Sequence, residues 1–476
     1  MIEGEFGMLE MKVLKKVELK FKLEQVTPMI HFQGTENGAV IRASDLKPRF
    51  DAFLSRYTKD ELKAYVLPVN NENQGNSKKA FDYKIRINNI TPSKIAAELK
   101  KKNKKGTEKG IIGYGACYAE LGLSSETVFY ESIEVTFIIA DRGKDKKLRG
   151  IIEKYFPIFI SVNSFGLRNN KGYGYFKIKD KKDVYIVEDI KKYKKIVNDI
   201  GVYKIGIEVK ENDGAERIKN TLNQIKIFHQ IVKSGYNLKK KANNEKRHRF
   251  NYSNDEEIYI PSLMLKGYKE FSKDKNKENM TFEKKAFKLF LKKEGYDISN
   301  LTRKGGVKPE EEFKNIDGEV YYVRGLLGLA PFYSFRGVTS EKDDFDRFII
   351  DIKENNIKGN KITRFASPIT YIPFPAQGYF LMLIDYERIN RFRKQAGEVD
   401  FVIKNEDKNK DKNKNKHFQA SIPNEEEYSI YKIFKEDGVL KKFLDKYNNN
   451  IKCIPKCKGF KYEGELKDRI RQVDNG

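Results

Sequence analysis

The chain has 476 residues, with Lys and Arg totalling 94 against 68 Asp and Glu, for a net charge of +26. That length exceeds one typical hydrophobic core and predicts two domains or more, while the basic excess points to a polyanionic partner. No apolar run reaches transmembrane length. The three cysteines, Cys453 and Cys457 among them, have neither the number nor the spacing of a disulfide framework or a zinc site, so the expectation is a cytoplasmic protein with no membrane partner, metal or cofactor.

The first ten residues read as a leader. Residues 17–25 alternate apolar and polar side chains, as a half-buried strand does. Thr27-Pro28 ends that strand, and residues 31–38 form a loop. Residues 43–57 have helical periodicity, with Ser44 as N-cap, Asp45 in the first turn, and Leu46, Phe50, Phe53 and Leu54 on one face. Strands are predicted over 81–90 and 128–140, followed by a helix over about 146–155. Residues 158–162, a glycine-rich loop and residues 174–179 complete the unit. Strand, helix, strand, strand, helix, strand is the β-α-β-β-α-β plan of a ferredoxin-like (RRM-like) domain, here assigned to residues 11–182. The open face of such a sheet is a familiar RNA platform.

Residues 183–403 are expected to form a second α+β domain with helical insertions, for which a degenerate duplication of the ferredoxin-like unit stays open. Helices are predicted over 218–232 and 282–293. Residues 319–329 start as a strand and then turn helical or loop, 362–374 are extended, and 378–385 (GYFLMLID) form a buried strand. Residues 404–416 are a charged linker or loop, and 417–476 a C-terminal helical segment. The fold class is therefore α+β throughout. Three Lys/Asn-rich runs, 94–109, 237–249 and 404–416, carry net charges of +5, +5 and +3, half of the total excess. They read as solvated loops, which leaves the other half in folded sequence.

The segment 164–178 (SFGLRNNKGYGYFKI) concentrates the chemistry. Gly166, Gly172 and Gly174 bracket Arg168 and Lys171, and the loop runs into an aromatic strand. Glycine allows positive φ and close approach to a ligand, and a turn with exposed N–H groups beside cations is an anion site. The Walker pattern is not met. The competing reading is an ordinary hairpin with a glycine bulge.

Two elements resemble the RAMP superfamily, the repeat-associated proteins of CRISPR effector complexes. One is the first strand running into Thr27-Pro28-Met29-Ile30-His31-Phe32-Gln33-Gly34, then Gly38 to Lys47 with its Ser44-Asp45-Leu46-Lys47 helix start. The other is Phe165 to Gly174, which is similar to the family's glycine-rich loop. A fainter likeness, to the larger type III (Cmr/Csm-type) subunits that cap the effector filament, lies in Arg324-Gly-Leu-Leu-Gly-Leu329 and Arg364-Phe-Ala-Ser-Pro-Ile369. Pro48 stands where family members often carry glycine. The loop 31–38 holds Glu36 but no aspartate, which argues against slicing of target RNA by a loop aspartate.

The resemblance implies a non-catalytic subunit that binds CRISPR guide RNA, or the guide–target duplex, beside other effector subunits. Its RNA-binding residues would be Arg42, Lys47, Arg49, Gly166, Arg168, Lys171, Gly172, Tyr173 and Gly174, with Tyr173 stacking on a base or filling the core. An alternative is a metal-independent endoribonuclease that processes CRISPR precursor RNA with His31 as acid or base, assisted by Lys47 and Tyr57. A third is a basic scaffold whose residues 183–476 dock other subunits.

Overall fold

Apolar side chains recur every second residue over 17–23 and 83–87 and run continuously over 379–384, and strands of both kinds build the sheets. The computed structural model describes residues 16–29, 41–58, 62, 65–67, 80–92, 101–102, 108–109, 130–140, 145–179, 186–191, 200–208, 214–239, 257–267, 281–282, 286, 289–290, 320–328, 332–336, 347–352, 355–357, 360–362, 365–395, 398–405, 416–426, 428–435, 438–454 and 457–466. The chain divides into two compact units, Met1–Asn198 with Asn212–Lys219 and Ile470–Gly476, and Asp199–Glu211 with Asn220–Arg469.

The first unit contains β1 (Lys16–Gln25), α1 (Ala43–Tyr57), β2 (Tyr83–Pro92), β3 (Tyr130–Ala140), α2 (Asp145–Val162) and β4 (Phe176–Ile178). The strand order is β2-β3-β1-β4, with every neighbouring pair antiparallel. That is the ferredoxin-like arrangement expected from the element order. Val17, Leu19, Phe21 and Leu23 of β1 point to the core, while Lys16, Glu18, Lys20 and Lys22 are exposed. Phe50 of α1 is fully buried, with ring centroids 5.1 Å from Phe159, 5.4 Å from Phe156 and 5.7 Å from Phe137. These edge-to-face and tilted contacts lock both helices onto one sheet face.

Two local expectations are corrected. The N-cap of α1 is Arg42, not Ser44, and it caps without a side-chain bond; its carbonyl receives Asp45 N–H and Leu46 N–H. Pro48 lies inside the helix, beyond its first turn. The helix predicted over 146–155 runs on to Val162 through Pro157, because Phe156, Phe159 and Ile160 continue its buried face. Burial there outweighs the hydrogen bond that proline forfeits.

The second unit repeats the plan: β5 (Ile200–Ile207), α3 (Gly214–Lys233), β6 (Ile369–Phe374), β7 (Tyr379–Asp385), α4 (Tyr386–Gln395), α5 (Ile430–Phe434), α6 (Val439–Lys452) and β8 (Phe460–Glu465). Its order, β6-β7-β5-β8, is again fully antiparallel, so the duplication left open by the sequence is present. Ile225, Phe228 and Val232 of α3 share a core with Tyr203, Ile205, Tyr371 and Phe380.

A mixed six-stranded sheet follows the order Thr281–Phe282, Val320–Tyr321, Lys416–Ser421, Glu398–Asn405, Arg347–Ile352 and Phe332–Arg336. The charged run 404–416 thus joins two antiparallel strands. The helix expected from 282 begins instead in a strand, Thr281–Phe282. The C-terminal helical segment is broken at Gly438, where a Cβ would lie 2.6–2.8 Å from the carbonyl oxygens of Lys432, Lys435 and Ile433. It also ends in a strand, β8.

Phe50→Ala should remove about 3–5 kcal/mol from the first unit. Denaturant unfolding followed by far-UV circular dichroism checks this, and a loss below about 1 kcal/mol would mean that the aromatic cluster does not hold α1 in place.

Candidate nucleic-acid interface

The glycine loop is built from a seam at the end of β1. Thr27 is fully buried; its hydroxyl donates to the Gly172 carbonyl at 2.6 Å and accepts Tyr175 N–H at 3.1 Å. Val26 N–H donates to the Tyr175 carbonyl at 2.9 Å, and Gly174 N–H to the Pro28 carbonyl at 2.8 Å. Phe165 N–H donates to the Gly174 carbonyl at 2.8 Å, closing the loop on itself. Gln25, also buried, accepts Tyr130 N–H and donates to the Thr27 carbonyl, both at 2.9 Å.

Within this frame Gly166, Gly172 and Gly174 all have positive φ, at 79°, 85° and 65°. A Cβ on Gly174 would lie 1.9 Å from the Phe165 carbonyl oxygen, so no side chain fits there. Arg168 is the one non-glycine residue with positive φ among the described residues, at 53°, a conformation that costs an L-residue roughly 1–2 kcal/mol. Asn169–Lys171 make a single 3₁₀ turn, with Lys171 N–H donating to the Arg168 carbonyl at 2.8 Å. Arg168 and Lys171 are half-exposed, whereas Gly172, Tyr173 and Gly174 are buried. Burial pushes the Tyr173 phenol above its ordinary value, and the nearby Arg168 charge partly opposes that shift. Tyr173 thus packs in the fold rather than standing out as a stacking platform.

The cations expected at the entry of α1 divide. Arg49 donates to the Ser164 carbonyl at 2.8 Å and to Asn163 Oδ1 at 3.1 Å, and its guanidinium lies 4.6 Å from the Phe165 ring centroid. It clamps the start of the loop. Lys47 Nζ contacts Asp51 at 2.7 Å and the Phe81 carbonyl at 3.0 Å, and sits 4.3 Å from the Tyr83 ring centroid. Tyr83 donates to the other Asp51 oxygen at 2.5 Å. Desolvation first, and the Asp51 carboxylate second, push the Tyr83 phenol well above its usual range. This network fixes α1 to the start of β2. Arg42 is half-exposed at the N-cap, where the helix dipole favours an anion.

Of the alternative catalytic set, Lys47 and Tyr57 lie among the described residues. Lys47 and Tyr57 lie on one helix about 15 Å apart at 1.5 Å per residue, and Tyr57 packs on Phe53, with centroids 4.6 Å apart. His31 and Glu36 lie outside the described residues.

The open face of the sheet carries Lys16, Lys20, Lys22, Lys84, Arg86 and Lys177 beside Glu18, Glu24 and Glu134. Lys20 stands 3.5 Å from Glu134, and Lys177 3.6 Å from Glu24. No aromatic ring faces out from the described residues of these strands, so base stacking in the usual RRM manner has no platform there.

The second pair of sequence motifs also comes together. Gly328 packs on Ser367, a Cβ there falling 3.0 Å from Ser367 Cα; Lys233 donates to the Gly328 carbonyl at 3.3 Å, and Arg388 to the Ser367 carbonyl at 3.0 Å. Arg364 lies outside the described residues.

Two family models, the Cmr1 N-terminal domain and the Cmr1 C-terminal domain, match residues 16–236 and 259–462. The chain belongs to the Cmr1 family. It is therefore a RAMP subunit of a type III CRISPR effector, a multi-subunit complex that supplies its protein partners. The crystal structure of Cmr1 from Pyrococcus furiosus (apo form) aligns with 77% of this chain and 87% of its own, at 10% identity and a TM-score of 0.32. No curated protein matches the chain. No described helix is long and apolar enough to cross a membrane, and no described group of three His, Cys, Asp or Glu is placed to hold a metal.

Sequence reasoning found the loop but missed its supports. Gln25 is polar at a position whose parity faces the core, and Thr27 follows two residues later; that break in alternation was the available signal. Thr27→Val keeps the volume but orphans Tyr175 N–H and the Gly172 carbonyl, and should cost about 2–4 kcal/mol, measured by denaturant unfolding. Thr27→Ser should retain most of the stability. Lys47→Met should lower the melting temperature through loss of the Asp51 contact while leaving the salt dependence of any RNA binding unchanged, which thermal melts and titrations at stepped salt separate.

Proposed function

We propose that the protein binds the guide RNA, or the guide–target duplex, of a type III effector complex through phosphate contacts and helical shape. The observation that supports this is the rigid loop 164–175. Its buried seam fixes a left-handed Arg168 and the Lys171 turn at the surface of a chain with a net charge of +26. A prearranged turn of this kind presents two cations to a phosphate without first paying for loop ordering. Arg42 at the start of α1 adds charge at a helix N-terminus. Lys47 and Arg49 hold the fold and loop in place and are not counted as phosphate contacts. Sequence would be read by base pairing within the RNA, with the protein blind to most base edges.

The test is binding of a labelled CRISPR repeat RNA by native gel at stepped salt. Replacing Arg168 and Lys171 together by Ala should weaken binding and flatten the slope of log K against log [salt] by about one unit per lost contact. An unchanged slope, with the fold intact by circular dichroism, overturns the assignment of these residues. A denaturing gel in EDTA, run beside His31→Ala, should show intact RNA throughout; discrete cleavage lost in the variant would make the protein a processing ribonuclease instead.

A further inference from the structure

The strongest unassigned feature is a lysine ridge in the second unit. From Gly438 to Tyr462 the sequence holds seven lysines and one acid, a net charge of +6 in 25 residues. This exceeds each of the three Lys/Asn runs, yet the segment is folded: it covers α6 and the start of β8.

Val439, Leu440, Phe443, Leu444 and Ile451 bury one side of α6. At 100° per residue, the opposite side presents Lys441, Lys442, Lys446 and Lys452, all exposed, with Asn449 and the single acid, Asp445, among them. Lys458 and Lys461 are exposed beyond the helix. No ion pair joins these six lysines to an acid among the described residues.

Two features make this more than a solvated helix face. Lys441 and Lys442 stand in the first turn, which contains no acid, at the end of the dipole where cations are disfavoured. Lys442 and Lys446 are a like-charged i, i+4 pair, also destabilising. Lys452 in the last turn suits the dipole, but the first-turn end of the ridge opposes it, and a bound anion there would relieve that cost. Lys446 further lies 5.8 Å from the Tyr447 ring centroid, and Lys266, from the helical turn 263–267, sits at the same distance from that ring. Tyr447 thus gathers a cation from a second element onto the ridge.

We propose that this ridge is a second RNA-binding surface, one that holds a phosphate backbone by charge alone. It rests on the reading of the protein as an RNA-binding subunit and adds a surface separate in sequence from the glycine loop. RNA is favoured over an acidic protein because the exposed positions of α6 offer no aromatic or aliphatic anchor, which protein interfaces need. Lysine is also a flexible point charge suited to sequence-independent phosphate contact.

The experiment compares the full chain with a Lys442→Gln, Lys446→Gln, Lys452→Gln variant and with the corresponding triple Lys→Arg variant. Gln keeps helix propensity, and circular dichroism confirms the fold. Binding of a labelled single-stranded RNA longer than one repeat is measured across a salt series. The Gln variant should lose about two units of salt slope, at about 0.7 per phosphate contact, while the Arg variant binds as the unaltered chain does. Equal slopes for the Gln variant and the unaltered chain overturn the ridge while leaving the glycine-loop reading intact. Absence of RNA binding by the unaltered chain overturns both. If the Gln variant binds RNA normally but no longer associates with other effector subunits, the ridge is a protein-docking surface and the proposal fails.

Discussion

The Thr27 hydroxyl is the contact on which the first unit's surface chemistry depends. One buried oxygen donates to Gly172 and accepts from Tyr175, across a sequence separation of about 145 residues. A hydroxyl is suited to this because it is donor and acceptor at once and carries no charge to desolvate. Pro28 completes the seam by offering its carbonyl to Gly174, where a residue with an N–H would have another donor to satisfy. With both ends fixed, the three glycines and Arg168 hold conformations that a free loop would populate only in part. Strain at Arg168 persists because the surrounding hydrogen bonds over-determine it.

The same economy of partners decides which cations can meet an anion. A net charge of +26 suggests a uniformly basic surface, yet several of its cations are engaged internally. Lys47 neutralises a buried carboxylate, Arg49 closes the loop base, and Lys20 and Lys177 face glutamates across the open sheet. Charge that is paired at close range contributes little to the field a polyanion meets. Among the described residues, the exposed lysines of α6 form a cluster that no ion pair engages.

How far the sequence disclosed this follows from physical causes. β1 and α1 were legible because one face of each is wet, which gives clean alternation and clean helical period. The loop was legible from its glycines. The end of α2 was not, since Pro157 reads as a breaker while the burial of Phe159 and Ile160 decides the matter. The second ferredoxin-like unit stayed hidden for two reasons. Residues of β5, β6 and β7 are buried on both faces, so their strands show no alternation. Between α3 and β6 the chain also runs through the separate six-stranded sheet, which parts the repeat's first strand and helix from its remainder. The roles of Arg49 and Lys47 were unreadable, because a cation that clamps a carbonyl and one that meets solvent look the same in sequence.

The same position in the same topology is built differently in the two units. In the first, the connection from the second helix to the last strand carries three glycines of positive φ, held in a fixed shape by the Thr27 seam. In the second, the connection from α6 to β8 contains one, Gly459 at φ 92°, held where Asn448 accepts Phe460 N–H at 2.9 Å. On the proposed reading, a connection held in one shape by the Thr27 seam would meet a phosphate at one distance and angle. Lysine ammonium groups on flexible stems follow the backbone wherever it lies. On the proposed reading, the first unit sets the register and direction of the RNA, and the second adds affinity that salt removes.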